Sequence, residues 1–64
     1  MNNNLYNLMM QMVQEHKSLW RIQNNYIQDA EISPESKEFW QKMIADKENH
    51  IKELEALIKK SLSA

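Results

Sequence analysis

The sequence predicts an all-α protein in which two helices fold into an antiparallel hairpin, and the hairpin dimerises into a four-helix bundle. The 64 residues contain no Gly and one Pro, so little interrupts a helix and the turns that join strands lack their usual residues. Apolar residues recur at helical spacing in both halves of the chain. Cysteine is absent, so a chain of this size has no disulfide or thiolate zinc site, and we expect it to gain stability by associating with a second copy.

The first helix is predicted over about residues 4–31. Asn2, Asn3 or Asn4 is suited to cap it, because an Asn side chain accepts hydrogen bonds from the first backbone amides. On a helical wheel its apolar residues cover an arc of roughly 200°, wider than the seam of a two-stranded coiled coil. One partner helix cannot cover such an arc.

The second helix is predicted over about residues 34–62. Ser33 can cap it, Pro34 suits the first helical position, and Glu35 lies at the positive end of the helix dipole. Three Glu–Lys pairs four residues apart support the same helix: Glu38 with Lys42, Glu48 with Lys52, and Glu55 with Lys59. Ser33 and Ser36 also have the spacing of a Cys-Pro-Glu-Cys motif, and an engineered serine version of that motif is an alternative to capping.

The short connection makes residues 1–64 a single helical-hairpin domain. Alone, the hairpin would expose several hundred Å² of apolar surface, whereas two hairpins packed face to face bury both arcs. The predicted homodimer interface consists of Leu5, Met9, Met12, Leu19, Trp20, Tyr26, Trp40, Met43, Ile51, Leu54 and Ile58. Another protein's helix is the alternative occupant of this surface.

Composition and motifs exclude several classes of function. A net charge of −1 provides no basic field for nucleic acid or an anionic membrane. No run of about 18 apolar residues is present, and the first residues lack the features of a signal peptide, so a cytoplasmic location is expected. Without a Gly-rich phosphate loop or a nucleophile with an identifiable base, the sequence predicts a non-enzymatic structural or protein-interaction module with no cofactor.

Polar residues interrupt the apolar arcs at mid-helix. With the turn near residues 31 and 32, we expect His16 opposite Lys47, His50 within a turn of it, and Glu15 at the edge of the arc. One interpretation is a structural layer in which Glu15 pairs with Lys47 and fixes the register. On that interpretation Lys47→Leu raises stability or changes the oligomer size, because it removes a buried charge.

The alternative interpretation is a transition-metal site. His16, His50, Glu15 and Asp46 are the candidate ligands, and imidazole with carboxylate suits Fe, Mn or Zn. A haem site is a third interpretation, although the sequence contains no attachment motif.

The hairpin, with Glu15-His16 on one helix and the segment 46–50 on the other, resembles half of a ferritin-like or rubrerythrin-type four-helix bundle. The resemblance implies a dimer that completes four helices, with both histidines as metal ligands and Glu15 as a bridging carboxylate. The family's Glu-x-x-His signature is not present, because Val13 stands three residues before His16 and Lys47 three residues before His50.

Overall fold

The computed structural model describes residues 3–63, and this part of the chain is helical with no strand. The first helix is α-helical over Asn3–Arg21, π-helical over Ile22–Tyr26 and α-helical again over Ile27–Asp29. The second helix is α-helical over Pro34–Ser63. The two helices lie side by side in a rod of 48 × 14 × 13 Å. The all-α prediction is confirmed for the described residues.

The two helices run in opposite directions. Glu15 contacts Lys47, whereas Tyr26, further along the first helix, contacts Trp40, which is earlier in the second. Contacts that move forward along one helix and backward along the other define an antiparallel hairpin. No helix in residues 3–63 is both long enough and apolar enough to cross a membrane.

The turn between the helices is stabilised by backbone hydrogen bonds. The first helix ends at Asp29, two residues before the predicted end, and the Ser33 amide donates to the Ala30 carbonyl oxygen at 2.9 Å. Ala30 leaves helical geometry at φ −89° and ψ 6°. At the opposite end, the helix begins at Asn3, so the residue preceding it, Asn2, lies outside the described residues.

Ser33 caps the second helix as predicted. The Ser36 amide donates to Ser33 Oγ at 3.3 Å, and the Ser33 hydroxyl donates to Ser36 Oγ at 3.1 Å. The Lys37 amide donates to the Ser33 carbonyl oxygen at 3.0 Å. The Ser36 amide is one of the first-turn donors that would otherwise lack an acceptor, the Lys37 amide makes the first regular helical hydrogen bond, and Pro34 has no amide hydrogen that needs a partner.

Two inner rows of side chains pack between the helices. Most of the buried and half-buried side chains recur at spacings of three and four residues, as expected when one helix covers another. The inner row of the first helix consists of Leu5, Leu8, Met12, Glu15, Leu19, Ile22, Ile27 and Ala30. The inner row of the second helix consists of Trp40, Ile44, Lys47, Ile51, Leu54 and Ile58.

The π-helical turn corrects a break in the first inner row. The spacing between Ile22 and Ile27 is five residues instead of four, and the Ile27 amide donates to the Ile22 carbonyl oxygen. That hydrogen bond closes the wider turn of a π-helix, which accommodates one extra residue. Without it, Tyr26 and Asp29 would take the inward positions that Ile27 and Ala30 occupy, and a carboxylate would be buried.

Charged residues cover the outward face of the second helix. Lys42 lies 3.6 Å from Glu38, and Lys59 lies 3.2 Å from Glu55, so two of the three predicted pairs form. Both pairs are exposed, and pairs of this kind contribute only a few tenths of a kcal/mol each.

Candidate functional site

A polar layer crosses the middle of the hairpin. Glu15 is buried, with 8% of its surface exposed, and its Oε2 accepts a hydrogen bond from Lys47 Nζ at 2.9 Å. The other carboxylate oxygen accepts from Gln11 Nε2 at 3.3 Å, and His50 Nδ1 lies 3.5 Å from it. The predicted pairing of Glu15 with Lys47 is confirmed. Gln11 is a further member of the layer that sequence analysis did not identify.

Glu15 takes the position that sequence analysis gave to His16. Glu15 faces the second helix. His16, the next residue, is rotated by about 100° around the helix axis and is therefore exposed. The expectation that His16 lies opposite Lys47 is therefore wrong by one residue. Met12, Glu15 and Leu19 are separated by three and four residues and share the inward face of the first helix, so the Glu15 carboxylate lies where an apolar side chain was expected.

The surroundings of Glu15 favour its ionised form. The Lys47 hydrogen bond lowers the pKa of Glu15 from its ordinary value; burial opposes this, and the Gln11 hydrogen bond and the charges of Lys47 and His50 add to the lowering. A carboxylate with a lowered pKa is a weaker proton acceptor than an ordinary glutamate. The layer is thus suited to holding two helices in register and poorly suited to general-base catalysis.

A shallow groove of about 200 Å³ opens beside the polar layer. It is lined by Gln11, Glu15, His50, Glu53, Leu54 and Leu57. A second groove, of about 370 Å³, lies at the turn, where the Trp40 ring contacts the ring of Tyr26 at 5.0 Å between centroids. Both grooves are open to solvent, so neither encloses a small molecule as an enzyme pocket does.

The four predicted metal ligands are divided between different parts of the surface. His50 lies close to Oε1 of Glu15, but Oε2 of Glu15 is paired with the ammonium group of Lys47. His16 and Asp46 are both exposed: His16 follows the inner residue Glu15, and Asp46 precedes the inner residue Lys47. Within the described chain, no three His, Asp or Glu side chains are arranged to hold a metal ion. The metal site remains a prediction, and it requires further ligands from a second copy.

Few apolar side chains are buried by the hairpin. Leu5, Ile22 and Ala30 are the three buried apolar residues of the part that the structure describes, and Ile22 is the most buried at 1% exposure. Within residues 3–63, ten large apolar residues are exposed: Tyr6, Met9, Met10, Val13, Trp20, Tyr26, Ile32, Phe39, Leu57 and Leu62. Of the predicted interface residues, Met9, Trp20 and Tyr26 are in this exposed set, and the others lie partly or fully covered within the hairpin.

Leu57 of the second helix and Val13 of the first, two of these exposed apolar residues, lie on opposite sides of the hairpin. Gln11 precedes the inner residue Met12 by one position and shares a groove with Leu57, so both face one side. Val13 follows Met12 by one position and is rotated about 100° the other way, to the opposite side. One face-to-face contact between two hairpins would cover only one of these two sides.

Comparisons of the chain with family models, with curated proteins and with solved structures gave no match.

Proposed function

We propose that this protein is a non-enzymatic helical hairpin that self-associates into a four-helix bundle and acts as a structural or protein-interaction module. The observation that carries the proposal is the imbalance between three buried apolar residues and ten large exposed ones. An apolar surface of this extent on a small protein is typical of an interface with another macromolecule.

The total accessible surface supports this proposal. The chain exposes 4986 Å². A compact monomer of 7.7 kDa is expected to expose about 4,300 Å². The excess of roughly 650 Å² is close to the ~800 Å² that each partner buries in a standard protein interface. One interface with a second copy would bring the exposed surface into the normal range.

The polar layer supports a structural role for the hairpin. If the helices slid past each other by one turn, Glu15 would lose Lys47 and face apolar side chains of the second helix. A single polar pair in an apolar seam fixes register and pairing in this way. A module with a fixed register presents its outward surfaces in one defined arrangement.

Sedimentation equilibrium over a hundredfold range of protein concentration tests the proposal. We expect a species of twice the chain mass of 7.7 kDa that dissociates on dilution together with loss of helical circular dichroism. A folded species of single-chain mass at every concentration would overturn self-association. A folded single chain that gains mass only when a different protein is added would instead establish another protein's helix as the occupant.

A further inference from the structure

The first helix carries a second row of side chains with the same spacing as its inner row. This outer row consists of Tyr6, Met9, Val13, His16 and Trp20, and all five residues are exposed. Successive members are separated by three, four, three and four residues, the alternation that keeps side chains in line along a helix. Tyr6 is 54% exposed and Trp20 59%, so its two aromatic ends are more exposed than Met9 at 40% and Val13 at 44%.

The second helix does not cover the outer row. Each of Tyr6, Val13 and Trp20 follows an inner-row residue by one position, which places the row about 100° from the contact between the helices. In an antiparallel pair, the residues of the second helix on the same side are those that also follow its inner row by one position. Those residues are Gln41, Ala45, Glu48, Lys52, Glu55 and Lys59, of which four are charged. Over the length of the outer row, the large exposed apolar side chains on this side therefore belong to the first helix.

We propose that the outer row binds the outer row of a second copy, with the two first helices antiparallel about a two-fold axis at Val13. This inference rests on the proposed self-association and specifies its surface. The second helix of another copy is a poor partner because it presents charges on this side, whereas the first helix presents an apolar row with one histidine. The same patch on both subunits is the arrangement that a two-fold dimer requires.

The order of residues in the outer row fits an antiparallel arrangement. Tyr6 and Trp20 each lie seven positions from Val13, so the axis brings Tyr6 of one copy against Trp20 of the other. Met9 lies four positions before Val13 and His16 three positions after it, so the axis brings Met9 of one copy within about one residue of the height of His16 of the other. Aromatic pairs and thioether–aromatic contacts are favourable, and antiparallel helix dipoles attract. The 15 positions of the row span about 21 Å.

Single cysteine variants test the axis, because the chain contains no cysteine of its own. On mild oxidation we expect Val13→Cys to form a disulfide-linked dimer, since residue 13 meets its own copy at the axis. The matched control, Gln14→Cys, lies one position away on a different face and is expected to remain unlinked. Tyr6→Cys and Trp20→Cys are expected to cross-link when mixed with each other and not when oxidised separately.

Binding affinity provides an independent measurement. Val13→Glu is expected to raise the dimer dissociation constant at least about tenfold, because it places two carboxylates together at an apolar axis. Gln14→Glu adds the same charge outside the row and is expected to leave the constant unchanged. Sedimentation gives both values.

The outcomes separate this inference from the proposed function. A dimer that forms normally in Val13→Glu, or in which Val13→Cys does not cross-link, would overturn the outer row as its surface and leave self-association standing. Self-linking of both Tyr6→Cys and Trp20→Cys would show parallel first helices and overturn the antiparallel axis. A folded monomer at all concentrations would remove the inference and the proposed function together.

Discussion

Lys47 Nζ lies 2.9 Å from Glu15 Oε2 where two otherwise apolar rows meet. The side chains retain 16% and 10% of their exposure, so the pair has lost most of its water. An ion pair in this position adds little net stability, because the attraction is offset by the cost of desolvating both charges. Its effect on stability is therefore clearest when one of the two charges is removed.

Lys47→Leu is expected to lower the free energy of unfolding by about 2 kcal/mol, because it leaves the buried Glu15 carboxylate without its ammonium partner. The sequence predicted higher stability or a changed oligomer size for this variant, because that expectation considered only the buried charge of Lys47. The structure shows that Glu15, at 8% exposure, would be left buried without the charge that pairs with it. The double variant Glu15→Leu with Lys47→Leu is expected to recover that loss, since no buried charge remains. Urea unfolding at one fixed protein concentration measures all three proteins. A double variant no more stable than Lys47→Leu would contradict this account.

The stability of the hairpin is expected to fall in acid through Glu15. Its pKa is lowered in the folded chain, chiefly by the hydrogen bond from Lys47, relative to about 4.3 for an unfolded glutamate. The contribution is therefore fully present above the unfolded pKa and is lost as the pH falls through the lower folded value. Lys47, Gln11 and His50 all face the carboxylate, so each contributes to the environment that favours ionisation.

Glu15→Gln isolates this effect from the exposed carboxylates. Its unfolding free energy is expected to depend less steeply on pH than that of the wild type, with the difference between the proteins shrinking below about pH 4. Thermal unfolding at matched concentration and ionic strength across that range provides the comparison. Parallel pH profiles would show that Glu15 does not link proton binding to folding.

The fold could be predicted because local signals agree along the chain. The absence of Gly and the Ser33-Pro34 start of the second helix place one break in an otherwise helical sequence. The structure differs at Ile22–Tyr26, where the π-helical turn adds a residue. The five-residue step from Ile22 to Ile27 is a signal for this turn that can be seen in the sequence. The sequence did not predict the turn, because an apolar arc of roughly 200° includes both Ile22 and Ile27 in a regular α-helix, and only the narrower inner row makes the five-residue step apparent.

The polar layer could be predicted only in part. A charge in each arc indicates a pair, and Glu15 with Lys47 is the pair observed. The sequence could not decide between Glu15 and His16 as the inward residue, because a difference of one residue rotates a side chain by about 100°. Tertiary packing makes that choice by placing Met12 and Leu19 inward, and Glu15 lies between them.

We expect added Zn²⁺, Mn²⁺ or Fe²⁺ to leave the melting temperature unchanged. Lys47 occupies one oxygen of Glu15, and its positive charge opposes binding of a cation beside His50. A melting temperature that rises with metal concentration would contradict this expectation, since a ligand that binds the folded state stabilises it by mass action. Loss of that rise in both His50→Ala and His16→Ala would establish that the two histidines bind the metal.

Deleting Asn24 is expected to convert the π-helical turn to an α-helical one without loss of stability. The deletion shortens the step from Ile22 to Ile27 to four residues, so both side chains remain in the inner row. The side-chain amide of Asn24 donates to the Trp20 carbonyl oxygen at 2.8 Å, a bond that the regular turn replaces with a backbone amide. Urea unfolding and helical circular dichroism measure the result.

Deleting Gln14 is the matched control, because it also removes one exposed amide residue from the first helix. Gln14 lies in a regular α-helical segment, which contains no extra residue. Its deletion therefore rotates the inner residues up to Met12 by about 100° relative to the inner residues from Leu19 onwards. Apolar side chains such as Leu5 would then be exposed, and we expect a loss of several kcal/mol or a failure to fold. Equal damage from the two deletions would show that the π-helical turn does not maintain the inner row, and that Ile27 and Ala30 face the second helix for another reason.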